Sequence, residues 1–269
     1  MTDSILFIHN APTRFVRADL ALLKQQWEVW EWYQRTKCVN LIALSRAVRR
    51  SDLVFCWFAG WHTFVPVRLA RLFGKPAVVV VGGYDTADIP EAGYGSQRGG
   101  LRRWLARSVI RNAAHLIAFS SSAEREAVEN AAADPGKITM IYQGVQVFPM
   151  GDPKNKENLV ITVGGVWREN LLRKGLLPFV KAAAYLPNTR FMLIGKWYDD
   201  GIEELRRVAS DNVEFAGFVS DEHLLGLYQR ASVYVQASLH EGFGMSVAEA
   251  MVGGCIPVVT RVGSLPEVV

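Results

Sequence analysis

Two carboxylates, Glu241 and Glu249, stand with seven residues between them, around a Gly-Phe-Gly step in the stretch "HEGFGMSVAEAMVGGCIPVV". Charged side chains are rarely buried without partners, yet the neighbours of this pair read as core. The surrounding pattern is a strand "SVYVQAS", a loop "LHEGFG", a helix "MSVAEAMV", a Gly-Gly stop and a strand "IPVVT". Glycines in such a loop let the backbone approach a ligand closely. The helix that follows offers unpaired N–H groups and a positive dipole end. Glu241 precedes the loop, and Glu249 lies one to two turns into the helix, so both can face one concavity. Ionised carboxylates only accept hydrogen bonds. A pair of them suits a ligand rich in hydroxyl donors, as sugars are. Taken singly, each Glu would read as an ordinary solvated charge.

A second constellation lies in "LVITVGGVWRENLLRKGL". Here a strand ends in Gly164-Gly165, and basic residues Arg168 and Lys174 follow before Gly175. A diphosphate carries concentrated negative charge. Fixed cations stabilise it as a bond to it breaks. An Arg fork and a Lys point charge are complementary tools for that task. The plain reading is a solvated basic turn, and the residues alone do not choose among Arg168, Arg173 and Lys174.

Taken together, these residues resemble the retaining nucleotide-sugar glycosyltransferases of family 4, which have the GT-B fold. That family carries a Glu, seven residues, Glu motif in a strand–loop–helix setting, then a "G-x-P-V-V" strand and a "G-x-x-P-E" turn. Glu241, Glu249, Pro257 and Pro266-Glu267 match it. The resemblance implies that Glu241 holds hydroxyls of a donor sugar and Glu249 the ribose hydroxyls of the nucleotide. The backbone amides of Phe243, Gly244 and Met245 would meet sugar and phosphate. It implies diphosphate contacts from Arg168 and Lys174 beside Gly164 and Gly165. In "FAGFVSDEHLLGLYQRAS" it assigns Phe218 and Val219 to the base, though an aromatic there also fits plain core. No Asp-x-Asp stands where a metal would bridge a diphosphate, and the family is metal-independent. No cofactor is therefore expected, the nucleotide sugar itself being the donor substrate.

In the first half the resemblance thins to strand order. "HNAPTRFVRADL" replaces the usual Gly-Gly turn, and Trp57 stands near the place of the family's histidine. His62, in "FAGWHTF", contacts the sugar or acceptor or is a hydrogen-bonded structural histidine. Asp85, in "VVGGYDTAD", orients an acceptor hydroxyl or caps the next turn. The helix "GLRRWLARSVIRN" spaces Arg103, Arg107 and Arg111 by four beside Trp104, Leu105 and Val109. This basic stripe rests on anionic lipid or is a solvated face.

The elements that must position these residues alternate. Strand candidates "SILFIH", "WEVWEW", "DLVFCWF", "PAVVVVG", "HLIAFS" and "ITMIY" precede residue 148. "NLVITVGG", "RFMLIG", "NVEFAG", "SVYVQA" and "CIPVVT" follow it. Helical patterns such as "SSAEREAVENAAA" lie between them. Such alternation predicts βαβ units and parallel sheets, and runs like "AVVVV" suit strands covered on both faces. The expected fold class is α/β, two doubly wound Rossmann-like domains facing across a cleft. The N-terminal one, 1–148, would serve the acceptor and the C-terminal one, 159–269, the donor. The Pro-, Gly- and Asn-rich segment 149–158 reads as a linker. The chain stops within a helix start, "GSLPEVV", so a C-terminally incomplete second domain is expected.

Composition bounds the rest. Of 269 residues, 50% are hydrophobic and 21% charged, with a net charge of +4. Residues 1–150 carry 18 basic against 12 acidic side chains, a net of +6, and the remainder nets −2. That excess fits an anionic surface or ligand and is too small to indicate nucleic acid. The three scattered cysteines, Cys38, Cys56 and Cys255, lack metal-ligand spacing and fit a reducing cytosol. No apolar run reaches the roughly 18 residues of a membrane span. The expectation is a cytoplasmic enzyme, peripheral on the inner membrane face, that moves a hexosyl group from a nucleotide sugar to a glycan or lipid-linked acceptor. A non-catalytic nucleotide-sugar-binding subunit and a sugar-nucleotide epimerase of the same fold are the alternatives.

Overall fold

A computed structural model describes residues 3–269. The chain divides into two compact units. One runs through Pro90 and resumes over Tyr94–Gln143; the other comprises Glu91–Gly93 and Gly144–Val269.

The first unit strings together β1 (Ser4–His9), α1 (Arg14–Leu23), β2 (Glu28–Tyr33), α2 (Leu41–Arg50), β3 (Leu53–Trp57) and α3 (Trp61–Leu72). Then come β4 (Ala77–Val81), α4 (Gly100–Asn112), β5 (His115–Ala118), α5 (Ser121–Glu129) and β6 (Ile138–Met140). Its six strands are parallel, in the order β2-β1-β3-β4-β5-β6. Every residue of β1 is buried, as an inner strand covered on both faces requires. β2 lies at the sheet edge, and none of its residues is fully buried. The strand order reverses direction between β1 and β3. Open α/β sheets bind ligands at the carboxyl ends of the strands flanking such a switch point.

The second unit contains β7 (Glu157–Val163), α6 (Arg168–Arg173), α7 (Leu176–Ala182), β8 (Arg190–Ile194) and α8 (Gly201–Val208). It continues through β9 (Val213–Gly217), α9 (Asp221–Arg230), β10 (Ala231–Gln236), α10 (Met245–Val252), β11 (Ile256–Val259) and α11 (Leu265–Val268). The order is β11-β10-β7-β8-β9, again all parallel, with the switch point between β7 and β10. Successive strand residues serve opposite faces. Leu159, Ile161, Met192 and Ile194 pack with Leu227 of α9 and Val247 of α10. Val160, Phe191 and Leu193 pack with Leu176 and Phe179 of α7 and Leu205 of α8. Each such buried side chain contributes about 1.5–3 kcal/mol.

The polar segment 149–158 packs on the second unit. Gln229 donates to the Pro149 carbonyl at 2.7 Å. Lys156 Nζ donates to the carbonyls of Tyr228, Ala231 and Gly253 at 2.9–3.0 Å. Composition marked this stretch as a linker; Lys156 anchors it on the second unit, and its last two residues, Glu157 and Asn158, already belong to β7.

Candidate functional site

In the second unit the loops leaving β7 and β10 lie on either side of the switch point. They carry the two constellations that sequence singled out. The β7 loop passes through Gly164-Gly165 into α6, whose C-cap is Lys174. The β10 loop carries Glu241 and ends at Gly244, which caps α10 with φ +95. The loops touch through backbone. Leu239 N–H donates to the Arg173 carbonyl at 2.8 Å. Gly175 sits at φ +67, where a Cβ would run into the Ala237 carbonyl. Only glycine allows both this left-handed turn and this approach.

That approach brings Lys174 Nζ to 2.5 Å from Glu241 Oε2, with the two side chains 20% and 15% exposed. Glu241 is held from behind as well. Its carbonyl accepts from both Ser264 N–H and Ser264 Oγ at 3.1 Å. Gln236 Nε2 donates to Ser238 Oγ at 2.6 Å and reaches Glu241 Oε2 at 3.5 Å. The Tyr234 hydroxyl lies 2.8 Å from both Gln236 Oε1 and Ser246 Oγ. Burial pushes the Tyr234 hydroxyl well above its ordinary range; Ser246 opposes this, and Glu241 and Glu249 add to it. The two carboxylates therefore share one buried phenol as neighbour. Glu249 Oε2 also accepts from the Tyr228 hydroxyl at 3.3 Å.

The other expected donor-site residues divide. Phe243 is buried, at 9% exposed. No side chain caps the N-terminus of α10 at Gly244 and Met245, so its dipole end is set for an anion or a hydroxyl. Val219 packs against the core of the unit, whereas Phe218 is 77% exposed and is not core. Arg168 opens α6 and pairs with Asp200, a different partner from that of Lys174. Its guanidinium forms a fork with Asp200, Nε–Oδ1 2.7 Å and Nη2–Oδ2 2.6 Å. Hydrogen bonding to Asp200 raises the Arg168 pKa, and the same contact lowers that of Asp200. Asp199 fixes the joint by accepting from Arg168 N–H at 3.0 Å and Gly201 N–H at 2.8 Å. Asp200, Gln236 and Ser238 were not singled out from sequence. The acidic doublet in "YDDGIEEL" ahead of a helix was the one available signal.

In the first unit, a cavity of about 860 Å³ opens at the β1/β3 switch point and holds both expected acceptor-side residues, His62 and Asp85. Both Asp85 carboxylate oxygens accept backbone N–H groups, from Ala59 at 2.9 Å and Gly82 at 3.1 Å. Burial pushes this carboxyl up to about 6. Asp85 thus caps the strand ends. His62 is 4% exposed, and its Nε2 donates to the Trp57 carbonyl at 2.8 Å. Nδ1 is left as a bare acceptor with no hydrogen-bond partner. Burial lowers the imidazole to about 4, so the ring is neutral. Among the described residues no group of three or more His, Cys, Asp or Glu side chains is placed to hold a metal ion.

Comparison with known proteins follows this division. Residues 6–144 match the family model "Glycosyl transferase 4-like domain", and 157–269 match "Glycosyl transferases group 1". The chain is 31% identical over 138 residues to a GDP-mannose:cellobiosyl-diphosphopolyprenol alpha-mannosyltransferase of Xanthomonas oryzae pv. oryzae. That alignment covers 48% of this chain and 36% of the relative. It is 26% identical over 171 residues to the O-antigen chain mannosyltransferase RfbU of Salmonella typhimurium (62% and 47% covered). It is 29% identical over 182 residues to an MMP alpha-(1->4)-mannosyltransferase of Mycolicibacterium hassiacum (63% and 43%). The chain thus matches less than half the length of each of these three. Among solved structures, a sucrose-phosphate synthase from Thermosynechococcus elongatus superposes with TM-score 0.75 at 19% identity, covering 98% of this chain and 83% of that one. A glycosyltransferase from Rickettsia africae gives 0.67 at 14%, covering 99% and 81%. These structures share the fold, two Rossmann-like parallel-sheet units of the GT-B type.

Proposed function

Because this chain belongs to the glycosyltransferase 4-like family, we propose that it transfers a hexosyl group from a nucleotide-sugar donor to a glycan or lipid-linked acceptor, with retention of anomeric configuration. The observation that carries this reading is the Lys174–Glu241 contact across the switch point. It puts a hydroxyl acceptor and a phosphate-binding cation within one sugar's width of each other.

Glu241 holds donor sugar hydroxyls and Glu249 the ribose hydroxyls. The α10 N-terminus, with Phe243, Gly244 and Met245, meets sugar and phosphate. Lys174 has three N–H donors and spends one on Glu241, so it reaches the diphosphate at the same time. Arg168 supplies the second cation after exchanging Asp200 for phosphate. Gly164 and Gly165 keep side chains out of the path, and Val219 and the exposed Phe218 frame the base. The bond from the anomeric carbon to the diphosphate oxygen breaks as the acceptor oxygen bonds to that carbon on the same face. The departing phosphate oxygen takes the acceptor's proton. These cations supply the charge that a metal would otherwise bring, and we assign no cofactor or metal.

The curated relatives reported above are named mannosyltransferases, which makes GDP-mannose the first donor to try. Incubation with a panel of nucleotide sugars tests the reading. Transfer or slow donor hydrolysis supports it, binding alone indicates a non-catalytic subunit, and an inverted sugar centre indicates an epimerase. Epimerase structures share this fold (a putative UDP-N-acetylglucosamine 2-epimerase of Listeria monocytogenes superposes with TM-score 0.63), so fold alone does not separate them.

No helix among the described residues is long and apolar enough to cross a membrane. Arg68, Arg103, Arg107 and Arg111 line a groove of about 380 Å³ beside Trp104, with no carboxylate in its wall. Arg107 is partly spent, donating to Gln97 at 3.1 Å and the Asn130 carbonyl at 2.6 Å. We assign this face to peripheral contact with an anionic membrane on the cytoplasmic side. Sedimentation with anionic liposomes tests it; a protein that stays in the supernatant refutes it.

A further inference from the structure

The turn after β7 has to be glycine, and for that reason it has to be held. A Cβ at Gly165 would stand 2.6 Å from the Trp167 ring and 3.0 Å from that of Tyr198. Two glycines in succession leave the backbone free to wander, so a fixed turn needs outside anchors. Gly164 N–H donates to the Ile194 carbonyl and Val166 N–H to the Lys196 carbonyl, each at 2.9 Å. The third anchor is a side chain. Asn170 Nδ2 donates to the Gly165 carbonyl at 2.8 Å. The Gly165–Val166 peptide is thereby pinned at both its oxygen and its nitrogen.

Asn170 is an unusual residue for its place. It lies within the six-residue α6 and is 1% exposed. Asparagine is a weak former of helix interiors, and a buried amide must find partners. All of its partners belong to the loops of the donor side. Its Oδ1 accepts from Arg173 Nε at 2.9 Å and from Arg173 Nη2. Its backbone carbonyl accepts Lys174 N–H at 3.0 Å, and the Arg173 carbonyl accepts Leu239 N–H from the loop that carries Glu241. The amide has one workable orientation: the reverse would set Nδ2 against a guanidinium and Oδ1 against a carbonyl.

From these contacts we infer that Asn170 is a positioning residue for the donor diphosphate, holding the Gly165 carbonyl inward and keeping the glycine turn in register with Lys174. A carbonyl oxygen facing a diphosphate would repel it, and a turn that had to order itself on binding would cost affinity. This role presupposes the transferase reading, in which the turn and Lys174 meet the diphosphate.

Calorimetric titration of the whole chain with GDP, UDP and ADP, and with their monophosphates, tests it. The parent is expected to bind one diphosphate about tenfold more tightly than its monophosphate, because the second phosphate adds contacts to the turn and to Lys174. Asn170→Ala removes every contact of the amide. Asn170→Asp keeps an acceptor for Arg173 and loses the donor to Gly165. In both variants the diphosphate preference should fall about fivefold, the scale of one ordering hydrogen bond, with monophosphate affinity within about twofold of the parent. A preference that survives in the Asp variant would show that Asn170 only anchors Arg173. One that survives in the Ala variant would show that the Asp variant merely repels phosphate. Either result overturns the inference. A variant that has also lost its monophosphate is judged by the other; if both have lost it, Asn170 serves the fold alone and the inference is overturned. A parent that binds no diphosphate, or binds it no better than the monophosphate, sinks the transferase reading itself. A preferring parent with unaffected variants sinks only the role of Asn170.

Discussion

Lys174 Nζ and Glu241 Oε2 stand 2.5 Å apart although 67 residues separate them in the chain. The contact exists because two loops from adjacent strands meet at a glycine, Gly175, that tolerates the Ala237 carbonyl against its α-carbon. A partly buried pair of this kind is a poor source of net stability, because desolvation offsets attraction. Its value lies in placement. Each partner is held ready for a ligand that brings hydroxyls to one and phosphate to the other.

Arg168 and Asp200 form the second pair, and they are about equally exposed, at 62% and 63%. Exposed pairs contribute little to stability, because water screens them. Asp200→Asn should leave the urea-unfolding midpoint where it is in the parent. With the carboxylate gone, Arg168 no longer has to exchange partners, so the donor KM should fall about two- to fivefold at unchanged kcat. Steady-state kinetics at two salt concentrations measure this. A rise in KM would mean that Asp200 positions Arg168 and does not compete with the donor.

Lys156 carries a structural prediction. Its ammonium satisfies three carbonyls around the ends of α9 and α10, and burial lowers its pKa. Lys156→Met keeps the aliphatic stem and removes all three donors. Hydrogen bonds to charged groups contribute about 1.5–3 kcal/mol, and the stranded carbonyls regain some water. A loss of about 2–4 kcal/mol is expected in denaturant titration of the chain. A change below about 0.5 kcal/mol would show that the segment is held by other contacts.

How much of this was legible follows the physics of each residue. The strands were readable because a parallel strand is buried on both sides, so Phe7, Ile8, Val79 and Val81 form unbroken apolar runs. Glu241 and Glu249 stood out as a pair because spacing along a loop and helix limits where a side chain can point, whereas Lys174 was picked out by the family resemblance, as the Lys just before a Gly. Arg168 was read as a phosphate cation, and its present partner was invisible, because Asp200 comes from the turn after β8. Asp85 and His62 left two roles open in sequence. Asp85 proved to be a backbone cap, and His62 lines the cavity while tied at Nε2. Of the cavity's wall only His62 and Asp85 were legible: Lys37 and Arg102 are unremarkable charges until the fold brings the segment after β2 and the start of α4 to one wall.

His62 sets a pH dependence. Folding lowers its pKa from 6.5 to about 4, so between these values the unfolded chain binds a proton that the folded chain refuses. Stability from this residue is fully present above pH 6.5 and is lost as pH falls toward 4. Asp85 and Asp19 act oppositely. Burial raises each from 3.8 to about 6, so their contributions are present below pH 3.8 and fade as pH rises through 6. His62→Gln removes only the first effect. The stability difference, variant minus parent, should move in the variant's favour by about 1.4 kcal/mol per pH unit from pH 6 down to 4.5. Urea titrations at pH 7.5, 6 and 4.5 measure it, and a constant difference contradicts a neutral, buried His62.

The central claim is that Glu241 grips the donor sugar, and transfer from a nucleotide sugar by Glu241→Ala tests it most directly. With the fold verified by circular dichroism and urea titration, the account predicts at least a hundredfold fall in turnover, about 2.7 kcal/mol of lost transition-state stabilisation. Turnover within a few-fold of the parent would contradict it.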